Sequence, residues 1–263
     1  MNTDSKYNDL KTRSISALVM ALIAGGSLWA GGDVFLVVLL AVAFCIMWEI
    51  CGLSFADSGL RIAISFIFMV SLGAAFWTTQ ALSLGIFAAS IVGYIILLRP
   101  KDPVLRVGLA VLSYGGLLTL AWLRTEVGII PTIWVICCVI ASDIGGYFAG
   151  RTFGGPKLWP AVSPKKTWSG TIGGWVLAVI VTIIFALMGD IITFGHALGA
   201  ILIAIFAQAG DLAESALKRR AGVKDSSNLI PGHGGFLDRF DGMLGAFFLI
   251  FLLSIFNLQG LLF

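Results

Sequence analysis

Apolar runs of membrane-spanning length dominate this sequence of 263 residues. A helix needs about 20 apolar residues to cross the hydrocarbon core of a bilayer. The runs are apolar on all sides rather than alternating, so they predict helices and not the strands of a β-barrel. Nine such runs occur, at about 15–31, 34–53, 61–79, 82–98, 105–123, 127–150, 170–189, 192–212 and 240–259. We therefore predict an all-α, polytopic integral membrane protein with about nine transmembrane helices.

The composition agrees with lipid as the main solvent. Hydrophobic residues make up 59% of the chain and charged residues only 12%, whereas soluble domains carry roughly 25% charged residues. The basic residues form no broad basic domain, so we predict no nucleic-acid partner.

The cysteines and the N-terminus carry no further signal. Cys45, Cys51, Cys137 and Cys138 all lie inside apolar runs, where they predict small buried side chains rather than disulfides or a zinc site. The first 14 residues are polar, and the run that follows lacks a typical cleavage site. We expect this run to remain as a membrane anchor.

The positions of the lysines and arginines predict how the chain is oriented in the membrane. If the N-terminus is inside, 16 of the 17 basic residues fall on the cytoplasmic side, and only Arg124 falls outside. This asymmetry is what the positive-inside rule predicts. We therefore predict a multi-pass protein of the cell (inner) membrane whose N-terminus is cytoplasmic and whose C-terminus is outside.

Two connections are longer than the others, at about 151–169 and 213–239, and both are predicted to be cytoplasmic. Long polar loops on one face are where a membrane enzyme would hold its active site. We accordingly divide the chain into residues 1–126, five helices that serve mainly as scaffold, and residues 127–263, four helices and both loops that form the catalytic region.

Four aspartates, placed by this topology at similar depth on one side, are the candidate metal ligands. Asp143 lies in the sixth predicted helix and Asp211 at the end of the eighth, while Asp238 and Asp241 are three residues apart at the start of the ninth. Carboxylates clustered beside basic residues suit a magnesium ion that bridges polyphosphate oxygens. The alternative is that Asp238 caps its helix and the acids form simple ion pairs.

Both loops carry groups suited to an anion, although neither is specific alone. In the second loop, a glycine-rich turn over 231–235 precedes a helix, and its His233 could contact phosphate, donate a proton or simply make a structural hydrogen bond. In the first loop, Lys165 and Lys166 stand among hydroxyl side chains and suit phosphate. The alternative for that loop is an ordinary basic contact with the lipid surface.

The stretch from Ser215 to Asp241 closely resembles the signature of the phosphatidate cytidylyltransferases, also called CDP-diacylglycerol synthases. The signature elements present here, each at its spacing, are Ser215, Lys218, Arg219, Lys224, Asp225, Ser227, Ile230, Pro231, His233, Gly234, Gly235, Asp238, Arg239 and Asp241. The segments Asp143–Gly150 and Ser163–Thr167 also resemble the family. One departure is Ser169, where the family often has glutamate, which puts in doubt any role for a carboxylate at that position.

The resemblance implies the reaction of CTP with phosphatidic acid, which gives CDP-diacylglycerol and pyrophosphate for phospholipid biosynthesis. It implies a Mg²⁺ cofactor at Asp211, Asp238 and Asp241, room for a second cation near Asp143, and a homodimer. We predict that the remaining catalytic residues are Lys218, Arg219, Arg239 and His233. We predict that the substrate-binding residues are Ser163, Lys165, Lys166, Thr167, Ser215, Lys224, Asp225, Gly234 and Gly235.

Two other classes of protein compete with this prediction. A secondary transporter would hold its acids near the bilayer midplane, whereas the acids here crowd the predicted cytoplasmic end. A different lipid-phosphate enzyme, such as a lipid kinase or a CDP-alcohol phosphotransferase, is the second alternative. The pattern Asp-Gly-x-x-Ala-Arg of the CDP-alcohol phosphotransferases is absent from the sequence.

Overall fold

The computed structural model describes residues 3–53, 57–77, 80–98, 102–188 and 194–262. These residues form long helices at all nine predicted positions, and the all-α fold is thereby confirmed. The helices are α1 Thr3–Ala30, α2 Gly32–Gly52, α3 Ser58–Trp77, α4 Gln80–Leu98, α5 Pro103–Trp122, α6 Ile129–Phe153, α7 Trp168–Leu187, α8 Phe194–Ala221 and α9 Leu237–Ile255. A π-helical turn, Leu123–Val127, follows α5, and a 3₁₀ turn, Gln259–Leu261, follows α9.

Seven of these helices are long and apolar enough to cross a membrane, as judged by length and composition over the described residues: α1, α2, α3, α5, α6, α7 and α8. Within α4, the described side chains form an apolar stretch over Gly85–Ile96. The first five residues of α9 include Asp238, Arg239 and Asp241, which lower its mean hydropathy. The chain is thus a multi-pass membrane protein.

The described residues divide into two compact units, and α5, α8 and α9 contribute residues to both. The first unit comprises Met1–Ala110 and Arg220–Phe240. Within it α2 packs against α1 and α3, and α3 packs against α4. Its core contains the fully buried side chains of Ile46, Met47, Phe68, Leu72 and Tyr94.

The second unit comprises Val111–Arg219 and Asp241–Phe263, and in it α6 packs along α7. Glycines on the facing sides let the two backbones touch. A Cβ atom on Gly145 would lie 2.6 Å from the carbonyl oxygen of Gly173, and one on Gly170 would lie 2.6 Å from that of Gly146. Small residues at such spacing are a common way to pack membrane helices tightly.

The first predicted loop is largely ordered secondary structure. Helix α6 continues to Phe153, and the strands β1 (Lys157–Trp159) and β2 (Ser163–Thr167) then form an antiparallel hairpin. Helix α7 follows β2 directly because Thr167 serves as its N-cap. The Thr167 hydroxyl oxygen accepts a hydrogen bond from the Gly170 amide at 3.2 Å, which satisfies one free donor of the first turn.

The second predicted loop is shorter than expected, because α8 runs to Ala221 instead of ending near 212. Hydropathy ended the predicted span at the first charges, but residues 211–221 are rich in good helix formers. Glu214 and Lys218 also form an i, i+4 ion pair at 2.6 Å. Gly222 then ends the helix with a positive φ of 72°. In the same way, α1 begins at Thr3 rather than near 15.

Candidate active site

A charged cleft of about 380 Å³ opens in the second unit. Helix α6 contributes Asp143, strand β2 and the N-cap of α7 contribute Lys165, Lys166 and Thr167, and α8 contributes Asp211. Five predicted site residues, separated by up to 68 positions in sequence, thus line one cavity. The structure thus brings strand β2 of the first loop next to Asp143 and Asp211.

An ion pair lies inside this cleft. The Lys166 ammonium is 2.6 Å from Oδ2 of Asp211, and the Ser215 hydroxyl donates to Oδ1 of the same carboxylate at 3.2 Å. The Lys166 and Asp211 side chains are 25% and 33% exposed, so solvent and solutes reach the pair. A phosphate that enters the cleft can compete with Asp211 for the lysine.

Three acids meet beside the cleft. Asp211, Glu214 and Asp241 each offer a carboxylate oxygen, and these oxygens lie within 4.8 Å of one another. Glu214 is fully buried and pairs with Lys218 at 2.6 Å. The Gly242 amide donates to Oδ1 of Asp241 at 2.7 Å. A set of converging carboxylate oxygens suits a hard divalent cation, so these three residues fit a metal ion.

The three-acid cluster contains two of the four aspartates predicted as metal ligands and adds one acid that was not predicted. Asp211 and Asp241 were predicted, whereas Glu214, one turn after Asp211, was not predicted as a ligand. Its position three residues after Asp211 on a helix was a usable signal, since that spacing puts both side chains on one face.

Gln208 is a second residue that the sequence analysis missed. Its amide nitrogen donates to the Ser142 hydroxyl at 3.1 Å and to the Thr171 carbonyl at 3.2 Å, and its carbonyl accepts from the Trp175 indole at 3.2 Å. One side chain of α8 thereby holds α6 and α7 on the floor of the charged cleft. A glutamine within an apolar run was the only sign of this role in the sequence.

Several other predicted site residues lie in the first unit, where residues 222–236 join α8 to α9. A tight turn occupies the middle of this segment. The His233 amide donates to the Ile230 carbonyl at 2.9 Å, and the Ile230 amide donates to the Gly234 carbonyl at 2.8 Å. Pro231 and Gly232, which has a φ of 74°, occupy the two central positions, an order typical of a type II turn.

Asp238 holds this segment in place. Its Oδ2 atom accepts hydrogen bonds from the Ser226 amide at 2.9 Å, the Ser226 hydroxyl at 2.8 Å and the Gly235 amide at 2.8 Å. Among the described residues, the group of acids that could hold a metal ion does not include Asp238. Its predicted role as a metal ligand stays a prediction.

Glu49 of α2 binds the same segment and was missed by the sequence analysis. It is fully buried, and its two carboxylate oxygens accept four hydrogen bonds, from Ser226, Ser227, Phe236 and Leu237. The amide donors lie at the start of α9, where the backbone lacks partners of its own. An acid inside an apolar run is costly and usually has a function or a partner, and this was the signal available.

His233 and Arg239 make structural contacts in the same unit. The His233 ring Nδ1 is 2.8 Å from the Ser16 hydroxyl of α1, which also donates to the Pro231 carbonyl at 2.9 Å. The Arg239 Nε donates to the His233 carbonyl at 3.0 Å. Of the three roles left open for His233, the structure shows the hydrogen bond.

The remaining predicted residues lie at accessible positions. The side chains of Lys165, Arg219, Lys224 and Asp225 are exposed, and those of Ser163 and Ser215 are half-buried. Gly234 has a φ of 84°, so the turn itself requires glycine there. Ser169, the departure from the family pattern, donates to the Gly154 carbonyl and so ties α7 to the end of α6.

The fold and the charged cleft define a polytopic membrane protein with an acidic and basic site suited to phosphate groups and a divalent cation. The sequence model of the cytidylyltransferase family matches residues 11–256. The chain therefore belongs to the cytidylyltransferase family, which confirms the resemblance found in its motifs.

Curated relatives agree with this assignment. A phosphatidate cytidylyltransferase of Brucella suis biovar 1 (strain 1330) is 36% identical over 257 residues, which cover 93% of each chain. One of Staphylococcus saprophyticus is 30% identical over 266 residues, which cover 95% of this chain and 100% of the relative. One of Bacillus subtilis (strain 168) is 48% identical over 129 residues, or 48% of each chain.

Proposed function

We propose that this protein transfers the cytidylyl group of CTP to phosphatidic acid and releases pyrophosphate. An oxygen of the lipid phosphate forms a bond to the α-phosphorus of CTP, and the bond from that phosphorus to the oxygen bridging to the β-phosphate breaks. The observation that carries the proposal is the charged cleft, where Lys166 pairs with Asp211 beside two further acids. Membership of the family and the names of the relatives support it.

The arrangement suits this reaction because the nucleophile is already an anion and needs little help from a general base. The main difficulty is to bring two polyanions together and to stabilise charge on the departing pyrophosphate. A triphosphate and a lipid phosphate bring about five negative charges at neutral pH. Lys165, Lys166, Lys218 and Arg219 all belong to the second unit, and we propose that they neutralise part of this charge.

A divalent cation is the cofactor that the three-acid cluster fits, and we propose Mg²⁺. Asp211, Glu214 and Asp241 would hold it, and Asp143 in the charged cleft would serve a second cation or orient the first. When bound, the ion supplies charge neutralisation and orientation of phosphate oxygens. The Lys166–Asp211 and Lys218–Glu214 pairs hold two of these carboxylates in place before substrates arrive.

We further propose that the N-terminus and the active site are on the cytoplasmic side of the inner membrane. The support is the asymmetry of the basic residues, 16 of 17 on one side, together with the positive-inside rule. The homodimer implied by the resemblance is a separate proposal, which the mass of the protein in detergent would test.

The proposed reaction is tested with purified protein in detergent, radiolabelled CTP, phosphatidic acid and Mg²⁺. We expect label to enter the organic phase as CDP-diacylglycerol, together with an equal amount of pyrophosphate. Replacing phosphatidic acid with diacylglycerol removes the nucleophile and should abolish the transfer. Labelled ATP in place of CTP tests the lipid-kinase alternative. Activity without a membrane gradient also separates an enzyme from a transporter. Phosphorylation of lipid from ATP with no cytidylyl transfer would overturn the proposal.

A further inference from the structure

We propose that Glu49 is a positioning residue: its buried carboxylate on α2 fixes both ends of residues 226–237 and so sets the geometry of His233 and Asp238. The effect on turnover rests on the proposed function, whereas the effect on the segment does not. Neither the motifs nor the resemblance assigns Glu49 a role, because it lies 177 residues before its nearest partner in sequence, Ser226.

The carboxylate joins the two ends symmetrically. Its Oε1 accepts from the Ser227 hydroxyl at 2.6 Å and from the Phe236 amide at 2.9 Å. Its Oε2 accepts from the Ser226 hydroxyl at 3.0 Å and from the Leu237 amide at 2.7 Å. Each oxygen therefore binds one residue before the tight turn and one after it. The two ends of the segment cannot move apart without breaking a charge-assisted hydrogen bond.

The donors also explain why an ionised side chain is placed in a fully buried position. Two of them are backbone amides at the N-terminus of α9, where unpaired N–H groups and the helix dipole favour a negative charge. The other two are hydroxyls that can turn toward it. A glutamine at position 49 would keep the shape, but its NH₂ group cannot accept from an N–H donor, so either the Phe236 or the Leu237 amide would lose its acceptor.

Asp238 extends the same network. The Ser226 hydroxyl has one proton and lies within hydrogen-bond distance of both Glu49 and Asp238, and the Gly235 amide also donates to Asp238. The site leaves no room for a side chain at Gly235, because a Cβ atom there would lie 2.5 Å from Oε1 of Glu49. Glu49, Ser226 and Asp238 thus form a continuous support beneath the turn that carries His233.

The test compares Glu49→Gln with Asp33→Asn in the full-length protein. Both changes replace a carboxylate with its amide on α2, but Asp33 is exposed and lies in the first turn. In the cytidylyl-transfer assay we expect Glu49→Gln to lower kcat about 10- to 100-fold, because small misplacements of a site have effects of this size. We expect Asp33→Asn to keep wild-type kinetics.

Ser227→Ala, which removes one donor to Oε1, should lower kcat by a smaller factor than Glu49→Gln. In the double variant, Ser227→Ala should lower kcat by less than it does alone.

A second measurement reports on the segment directly. Ile230 is 5% exposed, so a thiol introduced by Ile230→Cys, after replacement of the four native cysteines, should react slowly with a water-soluble maleimide. We expect Glu49→Gln to accelerate this reaction at least about tenfold, as local opening becomes easier, while the elution volume in detergent stays unchanged.

Glu49→Gln protein that shows wild-type kcat, KM and labelling rate would overturn the proposal. A lower unfolding temperature with unchanged kinetics and labelling would also overturn it, since the role would then be stability alone. If the wild-type protein transfers no cytidylyl group, the proposed function fails, and the labelling rate still decides the role of Glu49.

Discussion

The two units use carboxylates in opposite ways. In the second unit, Asp211 and Glu214 pair with the ammonium groups of Lys166 and Lys218. In the first unit, Glu49 and Asp238 bind backbone amides and serine hydroxyls. A lysine ammonium can turn to a phosphate and leave its acid to another cation, whereas an amide of an ordered turn cannot leave without unfolding the turn.

The difference shows that one sequence signature contains two kinds of acid. Asp238 and Asp241 are three residues apart and look equivalent in the sequence, yet one accepts from the Gly235 amide and the other belongs to the three-acid cluster. We therefore expect substitutions in the three-acid cluster to change turnover. Substitutions of Glu49 or Asp238 should change local stability as well.

The sharpest test of this division is Asp241→Asn. The change keeps size and hydrogen bonding but removes a charge from the three-acid cluster, and we expect a loss of about 10²-fold or more in kcat. The unfolding temperature in detergent should stay near that of the wild type. A cytidylyl-transfer assay over a range of Mg²⁺ concentrations provides the measurement. Near-normal turnover with unchanged Mg²⁺ dependence would remove Asp241 from the proposed metal site.

Asp238→Asn is the matched change in the other unit. Asparagine can still accept one or two hydrogen bonds, but it lacks the charge that strengthens all three, and we expect a loss of about 1–3 kcal/mol in stability. Thermal unfolding in detergent should show this loss for Asp238→Asn and not for Asp241→Asn. If Asp238→Asn leaves stability unchanged and alters the Mg²⁺ dependence instead, that result would support Asp238 as a metal ligand. The proposed difference between the acids of the two units would then be wrong.

Much of the fold could be predicted because hydropathy reports directly on lipid exposure. The apolar runs placed the helix ends to within several residues, except at the start of α1 and the end of α8. Hydropathy does not reveal that the polar or charged residues beyond those apolar runs are still helical. Asp143, Lys166 and Asp211 were predicted as site residues because a charged side chain within or next to a membrane span is costly or unusual. Glu49 was missed because its partners follow 177 or more residues later, and only the folded chain brings them together.

Lys166→Ala tests whether the cleft cation is available to substrates. It removes the partner of Asp211, and we expect about a tenfold loss in kcat/KM for CTP or phosphatidic acid, the effect of roughly one lost charge-assisted hydrogen bond. Arg219→Ala should have a similar or smaller effect, and the double variant should depart from additivity if both side chains bind the same phosphates. Full activity of Lys166→Ala at sub-saturating levels of both substrates would show that the first loop contacts only the membrane surface.

The smallest effect is expected for Thr167→Ala. The Thr167 hydroxyl oxygen caps α7 through the Gly170 amide, so its loss should lower stability by about 1 kcal/mol. Thr167→Ser keeps the cap and is the control. Differential scanning fluorimetry in detergent would detect the difference. If Thr167→Ala loses turnover with no change in stability, its hydroxyl binds substrate, as the sequence analysis predicted.

The length of α8 has a consequence for where the reaction takes place. Its 28 residues extend about 42 Å, whereas the hydrocarbon core is about 30 Å thick. To hide the whole helix would require a tilt of about 45°, beyond the usual range of up to about 40°. Since residues 194–207 are apolar except for His196, the surplus length falls at the charged end, from Asp211 to Ala221. That end stands in the headgroup layer, level with the phosphates of the surrounding lipids, so a lipid substrate can reach its cations by lateral diffusion without withdrawing its acyl chains from the bilayer.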